Sequence, residues 1–212
     1  MLKVVVFDGG FGGELFADKL EAELPILEVI RVIDWRKAKD ILESPRKARR
    51  AAEIALRPYL GKVDLIFFAN FLLSTTSLRY FRRKYKNQKF LGLELRSKRL
   101  VKKPTLILTT KAVTRSIHYY HFSHQLHAKT ICLDRWPELI DNGEFTHYSL
   151  KQDLETATLK IRFSPQQILL ACGQFTELKP HFRQIFGHNI RIVDNFDSAI
   201  HATKQMLRLR GE

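Results

Sequence analysis

The sequence holds only two cysteines in 212 residues, Cys132 and Cys172. Two are too few for a disulfide scaffold, and they point to a reducing, cytoplasmic setting. No apolar run approaches the roughly 18 residues that a membrane span needs, and the N-terminal stretch lacks a signal-peptide pattern, so no membrane partner is expected. Acidic residues are also scarce: 22 Asp and Glu stand against 36 Lys and Arg, for a net charge of +14. The shortage is sharpest between Arg79 and Lys103, where eleven Lys/Arg meet one acid, Glu94. Tyr80, Phe81, Tyr85 and Phe90 are interleaved with those cations, as on a nucleic-acid-binding face. The expected partner of this segment is nucleic acid or an acidic protein, and the competing reading is a solvated helix face. What is present in quantity is apolar: 45% hydrophobic and 11% aromatic residues are enough for one large domain or two small ones with a real core.

Apolar, β-branched runs alternate with amphipathic stretches along the chain. The runs predict strands at 3–7, 27–33, 65–69, 89–93, 105–109, 130–133, 168–171 and 190–193. The stretches between them predict helices at 14–23, 45–60, 73–85, 113–127, 150–161, 177–186 and 197–209. Alternation of this kind means βαβ units and parallel sheets, whose ligands bind beyond the carboxyl ends of strands. That rule singles out Asp8, Asn70, Thr109 to Lys111, and Cys172 to Gln174. The first turn is rich in glycine (Gly9, Gly10, Gly12, Gly13), which lets backbone N–H groups approach an anion at a helix N-terminus or simply makes a tight turn. The halves also rhyme. Leu65 to Ala69 and Ile168 to Ala171 are each a buried apolar run ending in alanine, followed by one polar residue and a helix, which suggests internal pseudo-symmetry. The basic residues 96–103, closed by Pro104, are the candidate crossing between the two lobes.

Together these residues resemble the glutamate/aspartate racemase family of cofactor-independent amino-acid racemases. The family's opening Phe-Asp-Ser-Gly-x-Gly-Gly stands here as Phe7-Asp8-Gly9-Gly10-Phe11-Gly12-Gly13. Its Ala-Cys-Asn-Thr-Ala-Ser turn aligns with Ala69-Asn70-Phe71-Leu72-Leu73-Ser74, and its Gly-Cys-Thr-His-Tyr-Pro turn with Ala171-Cys172-Gly173-Gln174-Phe175-Thr176. A Gly-Thr-x-x-Thr-Val-x-Ser segment resembles Thr109 to Ser116, and Ile192-Val193-Asp194 resembles the closing strand and turn. The resemblance implies an α/β fold of two pseudo-symmetric lobes, each a mainly parallel sheet flanked by helices, with a cleft between them. Residues 1–93 with 194–212 would form the first lobe, and 94–193 the second. It implies no cofactor and no metal, a small amino-acid or carboxylate ligand, and leaves room for a homodimer.

In the family two opposed groups, a thiol and a thiolate, move a proton on and off the substrate α-carbon. Here the first cysteine's place is Asn70, whose amide is not a base at neutral pH. Phe71 and Leu72 replace carboxylate-binding polar residues, and Gln174 stands at the family's His. Two-base racemisation is therefore not expected unless Asp34 or Lys111 replaces the missing group. The residues carried over are Cys172 and Asp8 as catalytic, with Gly9, Gly10, Asn70, Ser74, Thr110 and Gly173 as substrate-binding; Thr75 and Thr76 are further candidate hydroxyls. A lone thiol at Cys172 also resembles the decarboxylases of the same superfamily, and a non-catalytic binding protein is the third reading. Finally, His118, His121, His124 and His127 recur every three residues, a spacing that lets a pair share a helix face but not all four meet one ion.

Overall fold

The structure, a computed structural model, describes residues 1–34, 44–93, 103–116, 119–120, 123, 128–161 and 163–209. Its strands form two four-stranded parallel sheets. The first contains β1 (Leu2–Asp8), β2 (Leu27–Ile33), β3 (Leu65–Phe68) and β4 (Phe90–Gly92), in the order β2-β1-β3-β4. The second contains β5 (Thr105–Thr109), β6 (Ala128–Cys132), β7 (Gln167–Leu170) and β8 (Arg191–Val193), in the order β6-β5-β7-β8. The order is the same in both, so each sheet repeats one topology. The helices are α1 (Phe11–Glu23), α2 (Pro45–Leu56), α3 (Phe71–Lys84), α4 (Lys111–Thr114), α5 (Trp136–Asp141), α6 (His147–Ile161), α7 (Lys179–Phe186) and α8 (Phe196–Leu207), with a 3₁₀ turn at Gly173–Leu178. The chain divides into two compact units, Met1–Glu94 with Asn195–Glu212, and Leu95–Asp194.

The first sheet is covered on both faces, which is why its strands read as unbroken apolar runs rather than as an alternation. Val5, Phe7, Ile66 and Phe68 point to one face and pack with Ala48, Ala52 and Leu56 of α2 and Leu73, Leu78 and Phe81 of α3. Phe81 meets Phe68 edge-on at 4.9 Å between ring centroids. Phe67 points to the other face and stacks on Phe16 of α1 at 4.2 Å. Phe196 of α8 closes against Phe16 at 5.3 Å, so the last helix belongs to the first unit. In the second unit, Leu106 to Leu108 and Ile168 to Leu170 are fully or almost fully buried, together with Trp136, Leu150, Leu154 and Phe182.

The helices depart from the sequence expectation at several points, some for a clear local reason. Helix α2 stops at Leu56: Arg57 still has helical dihedrals, but Pro58 has no N–H to continue the ladder and its ring clashes with the preceding turn. The helix expected at 177–186 is a 3₁₀ turn followed by α7, which restarts with Pro180 in its first turn, where a missing N–H costs nothing. Helix α5 is six residues long, too short to show a period. Of the helix expected at 113–127, the described residues show Lys111–Thr114 and, further on, helical Tyr119, Tyr120 and Ser123; the four histidines spaced by three lie outside the described residues, as does the basic stretch before Lys103.

The aromatics between Arg79 and Phe90 prove to be structural. Phe81 and Phe90 are in the core, and Tyr80 and Tyr85 pack against it. Where α2 meets α3, the Arg49 guanidinium lies 4.4 Å above the Tyr80 ring. There Glu53 accepts bonds from Tyr80 Oη at 2.7 Å and Lys84 Nζ at 2.5 Å. Burial pushes the Glu53 carboxyl up, but these two bonds together with the charges of Lys84 and Arg49 outweigh it and hold the group below its ordinary value. A carboxyl lowered on folding stabilises the protein above its unfolded value, and that contribution is lost as pH falls through the folded one. Glu53→Gln is therefore expected to lose stability at neutral pH, with the difference from wild type vanishing in acid, as urea unfolding across that range will read.

Gly13 is required by close approach. A Cβ there would stand 2.4 Å from Asp8 Cβ and 2.6 Å from Ile33 Cδ1. Gly13→Ala is expected to destabilise the fold by about 1–3 kcal/mol in urea unfolding, because α1 must move off β1.

Candidate functional site

In each sheet the first strand lies between the second and third, so the crossovers diverge at the β1/β3 and β5/β7 pairs. The crevice outside the carboxyl ends of such a pair is where open parallel sheets bind ligands. The backbone treats the two places alike. Ala69 N donates to Phe7 O at 2.9 Å, and Ala171 N to Leu108 O at 2.8 Å. Asp34 N donates to Asp8 O at 3.2 Å, and Leu133 N to Thr109 O at 2.8 Å. One residue beyond the paired alanines stand Asn70 in the first unit and Cys172 in the second.

Asp8 and Asn70 meet in the first unit. Asp8 is 3% exposed, and its Oδ1 accepts from Gly9 N at 2.7 Å and Asn70 Nδ2 at 2.9 Å. Asn70 Oδ1 accepts from Leu73 N at 3.0 Å, which caps α3. Both ends of the amide are thus engaged. Gly10 precedes α1 and supplies no side-chain cap, and Gly9, Gly10, Gly12 and Gly13 are all buried. Ser74 Oγ donates to Phe68 O at 2.9 Å and to Asn70 O at 2.7 Å, so its proton ties α3 to the end of β3. Thr75 and Thr76 likewise donate to carbonyls of their own helix. Phe71 and Leu72 are buried apolar side chains. Asp34 is half-buried just past β2.

The second unit places Cys172, 8% exposed, with its S–H donating to Gln174 Oε1 at 3.1 Å. Gly173 opens the 3₁₀ turn between them and α7. Across the neighbouring strand end, buried Thr110 precedes α4, and its hydroxyl does not cap that helix. Lys111 is exposed; its backbone N donates to Asp134 Oδ1 at 2.6 Å, and its Nζ lies 3.4 Å from Asp134 Oδ2. Burial pushes the Cys132 thiol up, and the Asp134 charge adds to this, while a bond with Thr114 and the charge of Lys111 oppose it.

The structure therefore joins Asp8, Gly9, Asn70 and Ser74 in one network, and sets Cys172 and Gly173 together and Thr110 at the next strand end. Gln174, which the strand-end rule singled out, bonds to the Cys172 thiol; Asp134 is the polar residue that the rule missed. Gln174 carried a signal, standing where the family motif has His; Asp134 follows Leu133 directly after β6. Among the described residues no three His, Cys, Asp or Glu side chains gather as a metal site, and no helix is long and apolar enough to cross a membrane.

Known structures share this fold. Glutamate racemase from Escherichia coli, in complex with L-glutamate and the activator UDP-MurNAc-Ala, superimposes with a TM-score of 0.84 at 22% identity, over 100% of this chain and 84% of that one. Glutamate racemase from Campylobacter jejuni gives 0.82 at 20% identity over 96% and 85%. The aspartate racemase of Picrophilus torridus gives 0.63 at 16% over 100% and 95%. The chain has the glutamate/aspartate racemase fold. No family model matches the sequence, and no curated protein does. Within the racemase fold, the amide of Asn70 occupies the place that its motif resemblance assigns to the first thiol.

Asn70→Ala removes a helix cap and a donor to a buried carboxylate together. The expected cost is about 2–3 kcal/mol in urea unfolding, above the ~1 kcal/mol of a cap alone. Asn70→Ser keeps a capping oxygen and is expected to fall between wild type and alanine.

Proposed function

We propose that this racemase-fold chain binds a small amino acid or related carboxylate and does not racemise it by two bases. The observation that carries the reading is the double engagement of Asn70: Nδ2 donates to Asp8 while Oδ1 caps α3. Racemisation needs a proton acceptor on one face of the α-carbon and a donor on the other. An amide is neither at neutral pH, and here it is also held in place. Removing one member of a cooperating catalytic set typically costs on the order of 10⁴-fold or more. Of the replacements, Lys111 is exposed and paired with Asp134. The hydroxyls of Ser74, Thr75 and Thr76 are occupied within the fold, so the candidate ligand donors are the backbone N–H at Gly10 in the first unit and, separately, Thr110 and the backbone N–H at Gly173 in the second. The glutamate racemases of E. coli and Francisella tularensis have been solved in complex with L- and D-glutamate, so glutamate is the first ligand to test.

A second reading draws on the contact between Cys172 and Gln174. As oriented, the Gln174 amide accepts the thiol proton through Oε1. Turned over, it would present an N–H to the thiolate, so one side chain can serve both states of the sulfur. That suits a single proton donor. In decarboxylation of a malonate-type substrate, whose α-carbon bears a second carboxylate, the C–CO₂ bond breaks, its electron pair is held as the enolate of the remaining carboxylate, and the Cys172 S–H delivers the proton that makes the new C–H bond. Water then returns a proton to sulfur.

The experiment incubates the protein with D- and L-glutamate and aspartate in deuterated water, reading α-deuterium and inversion, with thermal shift as the readout of binding. The expected result is a rise in melting temperature with no inversion. Inversion accompanied by α-deuterium would overturn the proposal. Loss of any non-inverting exchange or decarboxylation in Cys172→Ala, with an unchanged melting curve, supports the single-thiol reading; full retention removes it.

A further inference from the structure

Charge in the first unit is sorted by sheet face. Helices α1 and α8, which pack over Phe67, carry five acids (Glu14, Asp18, Glu21, Glu23, Asp197) and two lysines. Helices α2 and α3, over Phe68, carry eight Lys/Arg and one acid. That acid, Glu53, is consumed where the two helices meet, by Tyr80 and Lys84. A generally basic protein would not need such segregation.

The outward cations form stripes. Arg79, Arg82, Arg83 and Lys86 follow the i, i+3, i+4, i+7 spacing along and just past α3, and Arg46 and Arg50 are one helical turn apart on α2. All six are exposed, and Arg46, Arg50, Arg79 and Arg83 pair with no acid among the described residues. Four-residue steps place neighbouring guanidinium groups about 6 Å apart along the axis. Like charges at this spacing weaken a helix, and Arg46 and Lys47 stand in the first turn of α2, where the helix dipole disfavours cations. An external anion relieves both penalties. Five of the six are arginine, whose planar fork grips phosphate oxygens in pairs, whereas solubility alone would be served as well by lysine.

Two further facts select the partner. A protein interface has an apolar centre, and Ile54 is the one large exposed apolar side chain on these helices. A single-strand binder offers exposed aromatic rings for stacking. Here Phe81 and Phe90 are in the core, and the Tyr80 ring is covered by Arg49. We propose that the α2–α3 face binds double-stranded nucleic acid through its phosphates, without sequence preference.

The test is fluorescence anisotropy of a labelled DNA duplex of arbitrary sequence titrated with the full chain at several salt concentrations. Five phosphate contacts predict a log–log salt slope of about −4.5. The triple variants Arg50→Glu/Arg79→Glu/Arg83→Glu and Arg50→Gln/Arg79→Gln/Arg83→Gln are expected to weaken binding at least about tenfold and to flatten the slope by about three. Lys129→Glu/Arg183→Glu/Arg191→Glu, an equal charge change in the second unit, is expected to leave it within about twofold. Melting curves check that each variant folds. Absence of duplex binding at low salt overturns the proposal, and so does equal weakening by the two glutamate triples, which would reduce the effect to net charge. Displacement of the duplex by polyglutamate at equal charge concentration overturns it in favour of an acidic protein.

Discussion

The carboxyl edge of the first sheet depends on the bond between Asp8 and Asn70. Asp8 sits at 3% exposure at the end of β1, and a buried carboxylate is stable only where donors surround it. Gly9 N supplies one, and Asn70 reaches across from the neighbouring strand end to supply another. The same amide starts α3. One side chain thus fixes a charge, a strand end and a helix start, and a thiol at that position would do none of these as well.

The second unit repeats the backbone plan with different chemistry. Ala171 pairs with Leu108 as Ala69 pairs with Phe7, yet the next residue, Cys172, bonds to Gln174 of its own turn instead of reaching across to a neighbouring strand end. A common topology therefore carries an Asp–Asn pair at one edge and a thiol–amide pair at the other. Topology fixes where side chains arrive, and the side chains decide what happens there.

Much of this was legible in the sequence because parallel strands buried on both faces read as continuous apolar runs, and all eight runs are strands of the two sheets. The places of Asp8, Asn70 and Cys172 at strand ends followed from the same runs. Side-chain reach at those ends was not legible: that Gln174 turns back onto Cys172, or that Ser74 spends its proton on Phe68 O, depends on rotamers set by packing. The aromatics near Arg79 show the limit from the other side. Aromatics and cations interleave in the sequence, but the helical period sends Phe81 inward and the arginines outward, and composition does not distinguish faces.

The seating of Phe196 on Phe16 makes the first unit discontinuous in sequence, while the second is a single uninterrupted stretch. During synthesis the two therefore cannot mature in the order in which they are written. The second has all of its strands once β8 has emerged. The first must wait with Phe16 and Phe67 uncovered until Phe196–Leu207 follows, which leaves the earlier-made half as the later one to close and the more exposed to chaperones and proteases in the interval.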